Sequence, residues 1–124
     1  MAEFSELVGK TLLSIEGGVG DEKITFRCDD GTTYAMYHDQ DCCENVSIED
    51  IDSSLDRLLG SPILVAEEST SDTNPPGVNR EYQDESYTWT FYRLATAKGH
   101  VTIRWYGESN GYYSERVEFV SISP

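Results

Sequence analysis

Three arginines, Arg93, Arg104 and Arg116, stand among Trp89, Phe91 and Tyr106 in the last third of the sequence. Guanidinium groups grip phosphates bidentately, and aromatic rings stack on nucleobases. Whether these residues share one surface depends on strand register, since side chains alternate between the two faces of a strand. With Lys98 and Gly99 central in a turn, Leu94 falls opposite Ile103, Thr96 opposite Val101 and Tyr92 opposite Trp105, which makes one apolar face. A two-residue turn at Asn110 and Gly111 would drive Arg116 and Glu118 into that face. A three-residue loop with Gly111 at positive φ instead aligns Val117 with Trp105 and Phe119 with Ile103, and the apolar pattern selects this register.

The opposite face then carries Trp89, Phe91, Arg93, Arg104, Tyr106, Arg116 and Glu118. Arg93 lies across from Arg104, and Arg116 across from Tyr106. Like charges directly opposite one another destabilise a sheet by up to about 1 kcal/mol. The chain has only nine bases against 23 acids, a formal charge of −14. Three arginines gathered on one aromatic face therefore read as an anion site, and the mixture suits a small nucleotide. The plainer alternative is that Arg116 pairs with Glu115 or Glu118 and the aromatics pack under the opening helix or against a second subunit.

Other constellations look reactive and are weaker. His38, Asp39, Asp41, Cys42 and Cys43 cluster in sequence, but structural zinc requires spaced ligand pairs, and adjacent cysteines share a tetrahedron poorly. A turn, with the aspartates on backbone amides and the thiols packed as small apolar groups, accounts for them. No metal and no cofactor are expected. Nucleophilic catalysis needs a base beside a Ser or Cys, and neither His38 nor His100 lies near such an arrangement. The glycines at 17, 18 and 20 lack the Lys and Ser/Thr of a phosphate loop and mark a turn. A binding protein is expected rather than an enzyme.

The elements that must position these residues are mainly β, in an α+β arrangement of antiparallel sheet with hairpins and one or two short helices. A short helix is expected over residues 4–8 with Gly9 as its stop, and a second over 53–59, capped by Ser53 or Ser54 and ended by Gly60. Strands are expected over 11–15, 22–28, 32–38, 46–48 and 63–67, then over 88–97, 100–108 and 113–122 as a C-terminal three-strand meander. Asp30 and Gly31 signal a hairpin that would set Phe26 opposite Ala35 and Ile24 opposite Tyr37. Residues 69–86 turn to Ser, Asp, Asn, Pro and Gly, the composition of a long mobile loop.

Length and charge bound the rest. The 124 residues fit a single domain that buries roughly two-thirds of its unfolded surface. Residues 1–13 include Glu3, Glu6 and Lys10 and no apolar core, so no signal peptide is expected, and no run is long enough to span a membrane. Three cysteines, two of them adjacent, make a poor disulfide framework, and all three are read as thiols in a cytoplasm. The charge opposes a nucleic-acid polymer as partner. It serves solubility, or it imitates nucleic acid.

A resemblance sharpens these expectations. YHDQDCCENVSIEDI (37–51) and SYTWTFYRLATAKGHVTIRWYGESNGYYSE (86–115), with the opening SELVGKTL and the later SPILVAEE, resemble a phage family that includes the first-described Thoeris anti-defence proteins. The resemblance covers nearly the whole chain except residues 69–84. It implies a sponge that binds a cyclic ADP-ribose-type immune signal without cleaving it, in the cytoplasm of a bacterial host. It also implies a homo-oligomer, a dimer or higher such as a hexamer, and sequestration of cyclic oligonucleotides by higher oligomers. The expected ligand set is Arg104 and Arg116 for phosphates and Phe91, Trp89 and Tyr106 for stacking. Arg93 and Asn110 lie beside them, and Tyr82 would close from the loop. Arg27 and Arg57, outside that face, form a possible second anion site. The rival from another class is an acidic nucleic-acid mimic that blocks a host DNA-binding enzyme, in which the arginines would be internally paired.

Overall fold

Apolar alternation along short strands gives the chain two sheets with a shared core. A computed structural model describes residues 3–39, 43–75, 86–109 and 114–122. In chain order the strands are β1 (Leu12–Glu16), β2 (Lys23–Cys28), β3 (Thr33–Tyr37), β4 (Asn45–Ile51), β5 (Val65–Ser71), β6 (Ser86–Thr96), β7 (Gly99–Ser109) and β8 (Glu118–Ser121). One sheet has the order β1-β2-β3-β8 and the other β4-β7-β6-β5, with every named pair antiparallel. The fold is mainly β.

Both expected helices are shorter than the sequence suggests, each a single 3₁₀ turn: Phe4–Leu7 and Leu55–Leu58. Four residues make too little helix to persist without packing. Phe4, Leu7 and Leu58 are buried and anchor the two turns. The Ser54 hydroxyl caps the second by accepting from the Asp56 amide at 3.3 Å. Gly9 and Gly60 follow at φ 89° and 79°, conformations that glycine adopts without strain.

The core joins the sheets through large side chains. Trp105 Nε1 on β7 donates to Met36 Sδ on β3 at 3.1 Å. Phe119 on β8 stacks on Tyr34 at 5.1 Å and meets Phe4 edge-on at 5.3 Å. Phe4 in turn lies 4.7 Å from the ring of Tyr92 on β6.

Three register expectations are corrected. The first hairpin sets Phe26 opposite Tyr34 and Ile24 opposite Met36, and Lys23 opposite Tyr37. Its loop has three residues, closed by Cys28 N–H to Thr32 O at 2.9 Å, with Gly31 at φ 90°. The extra residue reverses the face of one strand against the other, so Tyr34 and Met36 point inward. The second hairpin turns at Ala97 and Lys98, with Thr96 opposite Gly99. That is a slide of two residues, which keeps every side chain on its expected face and changes its partner. Arg93 thus pairs with Thr102, and Arg104 with Phe91, and the expected Arg93–Arg104 opposition does not exist.

The third correction is topological. The last strand does not extend a meander: β8 crosses to β3 in the other sheet, and β4 takes the place beside β7. Val117 and Phe119 are still core residues, but they fill it from the opposite sheet. Pairing with β4 gives the aliphatic Val46 and Ile48 a buried face, which the last strand alone would not supply.

Candidate functional site

β6 and β7 carry the candidate site on the outer face of the second sheet. Trp89, Phe91 and Arg93 alternate outward along β6, and Thr102, Arg104 and Tyr106 do so along β7. Phe91, Arg93, Thr102 and Arg104, with Asp50 near the end of β4 and Asp52 just past it, line a groove of about 220 Å³. Phe91 is half-buried, in register with Arg104 and two residues from the exposed Arg93. One aromatic ring therefore lies between two guanidinium-bearing positions.

Trp89 and Tyr106 do not face solvent as an open stacking platform. Trp89 is fully buried, and its Nε1 donates to Asn74 Oδ1 at 3.1 Å. Tyr106 packs 4.6 Å from Trp89 and donates its hydroxyl to Glu108 at 3.0 Å. Their large rings consolidate the sheet under the groove, and Phe91 is left as the aromatic that lines it.

Arg104 is held in place. Its Nε donates to Glu49 Oε2 at 2.6 Å, its Nη2 lies 4.0 Å from Asp50, and its guanidinium stands 5.2 Å over the Trp89 ring. The bulge in β4 between Ile48 and Asp50 brings both acids to this face. The sequence offered little sign of Glu49, because nothing local indicates that β4 pairs with β7.

Arg116 sits elsewhere, contrary to its expected place opposite Tyr106. It precedes β8 at the rim of a second cavity of about 510 Å³, its Nε 3.7 Å from Glu118. The strand exchange moves it there. This cavity opens between the inner faces of β5 and β6 and the segment 114–119. Its wall includes Glu115, buried, whose two carboxylate oxygens accept from Thr88 Oγ1 at 2.7 Å and Ser109 Oγ at 2.6 Å. Gly107 makes this packing possible: a Cβ there would lie 3.0 Å from both Glu115 O and a Val46 methyl.

Segment 114–117 is tied down from the other side by His38. The His38 Nδ1–H donates to the Arg116 carbonyl at 2.7 Å, since a carbonyl only accepts. Its Nε2 lies 3.3 Å from Glu44 Oε2, and both side chains are buried. The histidine singled out for its metal-like neighbours is thus a structural clasp. Among the described residues no three His, Cys, Asp or Glu side chains converge as metal ligands do, while Asp41 and Cys42 lie outside those residues. Cys28 is a buried free thiol, and Cys43 is disulfide-bonded, which corrects the expectation of three thiols.

Arg27 and Arg57 do not form one site with the groove. Arg27 lies 3.5 Å from Glu16 on the first sheet. Arg57 packs along Gly99, where a Cβ would meet its Nη1 at 2.8 Å. Tyr82 and Asn110 lie outside the described residues, as does most of the expected loop, while β5 runs on to Ser71.

A family described as a domain of unknown function, DUF7448, matches residues 5–119. The chain belongs to this family. The match runs from the first turn into β8 and takes in the groove and all of the cavity lining except Glu3 and Phe4. No curated protein and no solved structure matches the chain. No helix among the described residues of this DUF7448 domain is long and apolar enough to cross a membrane.

Proposed function

We propose that the protein sequesters a small cyclic nucleotide of the cyclic ADP-ribose type without cleaving it, and so blocks Thoeris-type bacterial immunity from within the host cytoplasm. One observation carries the reading: Phe91 lies in a groove between Arg93 and Arg104, a place for a base beside a place for phosphates. The ring offers its face to a purine, and the guanidiniums offer charge-assisted hydrogen bonds to a pyrophosphate. Among the described residues the groove has no Ser, Cys or His, and its polar members are two arginines, two aspartates and a threonine. Tight binding is all that sequestration requires.

The groove is smaller than the roughly 300–1,000 Å³ that encloses a ligand of this size. We therefore assign completion of the site to a second copy of the chain, in a dimer or larger homo-oligomer. Calorimetry with a cyclic ADP-ribose isomer tests the site. Phe91→Ala and Arg93→Ala should each weaken binding by ~1.5–3 kcal/mol, the range for a lost charge-assisted contact or a lost stack. Unchanged affinity in both variants would remove the groove from the account.

A second reading is favoured by a specific feature. Arg104 is paired with Glu49 inside the protomer, as expected if the acidic surface imitates nucleic acid and the arginines only brace it. On that reading the wild-type protein binds no nucleotide and instead displaces DNA from a host enzyme.

A further inference from the structure

The outer groove holds two aspartates that an incoming phosphate would not favour, and register fixes where they stand. Phe91, Arg104 and Asp50 lie side by side across β6, β7 and β4. Arg93, Thr102 and Asp52 form the next row, with the Asp52 amide donating to Thr102 O at 3.2 Å. Both rows line the groove. Ile51, between the two aspartates, packs against the core, so Asp50 and Asp52 face outward with the arginines.

Neutralising the arginines is the plain role for such acids, and the contacts do not bear it out. Arg104 gives its Nε to Glu49 at 2.6 Å, and its Nη2 comes only within 4.0 Å of Asp50. Among the described residues no ion pair joins Arg93 to either aspartate. Asp52 is committed to backbone instead: its Oδ1 accepts from the Thr102 amide at 2.7 Å. Its main chain and side chain are thus tied to one residue of β7, which orients the carboxylate before any ligand arrives. Its Oδ2 has no partner among the described residues, and a carboxylate oxygen only accepts.

The order across the sheet restricts what can donate to that oxygen. Neighbouring strands lie about 4.8 Å apart, so Asp50 stands about 10 Å from Phe91, with Arg104 between them. A base on Phe91 and a pyrophosphate on Arg93 and Arg104 leave the aspartates facing the group beyond the phosphates. A further phosphate there would meet like charge, which is strongly unfavourable where water is partly excluded. A sugar joined to the pyrophosphate carries neutral hydroxyl donors instead, and a fixed carboxylate is a recurrent way of holding ribose hydroxyls.

From this arrangement we infer that Asp52, with Asp50 beside it, determines specificity by accepting from the hydroxyls of a ribose attached to the ligand's pyrophosphate. The inference rests on the nucleotide reading of the groove and adds selection to it. The arginines hold the phosphates of any nucleotide, and the aspartates disfavour one that ends in phosphate.

Calorimetry with a cyclic ADP-ribose isomer and with ADP, which has the base and pyrophosphate but no second ribose, tests this. The full-length protein should bind the isomer at least about tenfold more tightly, the worth of one charge-assisted hydrogen bond. Asp52→Asn keeps an oxygen for the Thr102 amide, so the thermal midpoint should hold. It should weaken the isomer about tenfold and tighten ADP, because the charge facing the terminal phosphate is gone. Asp50→Asn leaves the Thr102 contact intact and should move both affinities in the same directions by smaller factors. Tightening of both ligands by Asp52→Asn, or wild-type affinity for the isomer in both variants, would overturn the inference. Equal wild-type affinity for isomer and ADP, both weakened by Phe91→Ala, would overturn it and leave the nucleotide reading standing. Binding of neither ligand, or binding indifferent to Phe91→Ala, would remove the nucleotide reading and this inference together.

Discussion

The two faces of β6 present opposite chemistry from a single alternating strand. Outward it offers Phe91 and Arg93 over the buried Trp89, while inward Thr88, Thr90 and Tyr92 turn toward carboxylates. The difference extends to how each side is held. On the inner side Glu115 is fixed by two hydroxyls, and the segment before β8 is clasped by His38. On the outer side Arg104 is held by Glu49, a partly exposed acid that solvent can replace. Changes to the inner contacts around Glu115 and His38 should therefore cost folding most, and changes to Phe91 and Arg93 should cost binding.

The largest effect is expected at the clasp. Glu44→Ala strips a buried carboxylate from beside His38 Nε2, and leaving a buried polar group without its neighbour costs roughly 1–3 kcal/mol. Chemical denaturation should show this as a lower midpoint at unchanged slope. A loss under ~1 kcal/mol, the range of an exposed pair, would erase the contrast between the two sides. Next comes Gly107→Ala, whose methyl collides with backbone at Glu115 and with Val46. Overpacking of this kind costs about 1–3 kcal/mol, and amide exchange should quicken in residues 114–117.

Arg104→Ala sharpens the outer side. It removes a guanidinium that is stacked over Trp89 and bonded to Glu49. A stability loss of about 1–2 kcal/mol is expected, from the cation–π contact and the charged hydrogen bond together. Because Arg93 faces Thr102, no relief of arginine repulsion offsets it. Thermal midpoints measured beside nucleotide affinities would show both losses on the proposed function, and only the first on the mimic reading.

Tyr92 gives the smallest effect at neutral pH and a distinct one in alkali. Burial, and then the neighbouring Glu68 carboxylate, push its phenol well above the usual value. The folded state thus holds the proton more tightly than the unfolded one. This contribution is complete below the unfolded phenol's value near ~10 and is lost as pH rises beyond it. Tyr92→Phe should flatten the alkaline limb of a stability–pH curve and change little at pH 7. An unaltered limb would mean that the hydroxyl is solvated after all.

The sequence showed much of this and missed specific parts for physical reasons. Alternation placed Trp89, Phe91, Arg93, Arg104 and Tyr106 on one face, and a slide of two residues in the turn did not matter, because the strand period is two. The same period punished a one-residue error in the first hairpin, where Asp29 joins Asp30 and Gly31 in the loop. Arg116 was misplaced because Val117 and Phe119 are apolar at the spacing that either sheet would accept. Local pattern cannot say which neighbour a core strand takes. Glu49 and Glu115, the acids that organise the two sides, went unnoticed among 23 because their meaning comes only from long-range pairing.

The most direct test of sequestration is to incubate the protein with an extract of Thoeris-activated cells, wash it, denature it with heat and identify what is released. The account predicts an intact cyclic nucleotide, near-stoichiometric with the chain and constant in amount over time, and much reduced with Phe91→Ala. A linear or hydrolysed product that accumulates with incubation would contradict it and mark the protein as an enzyme.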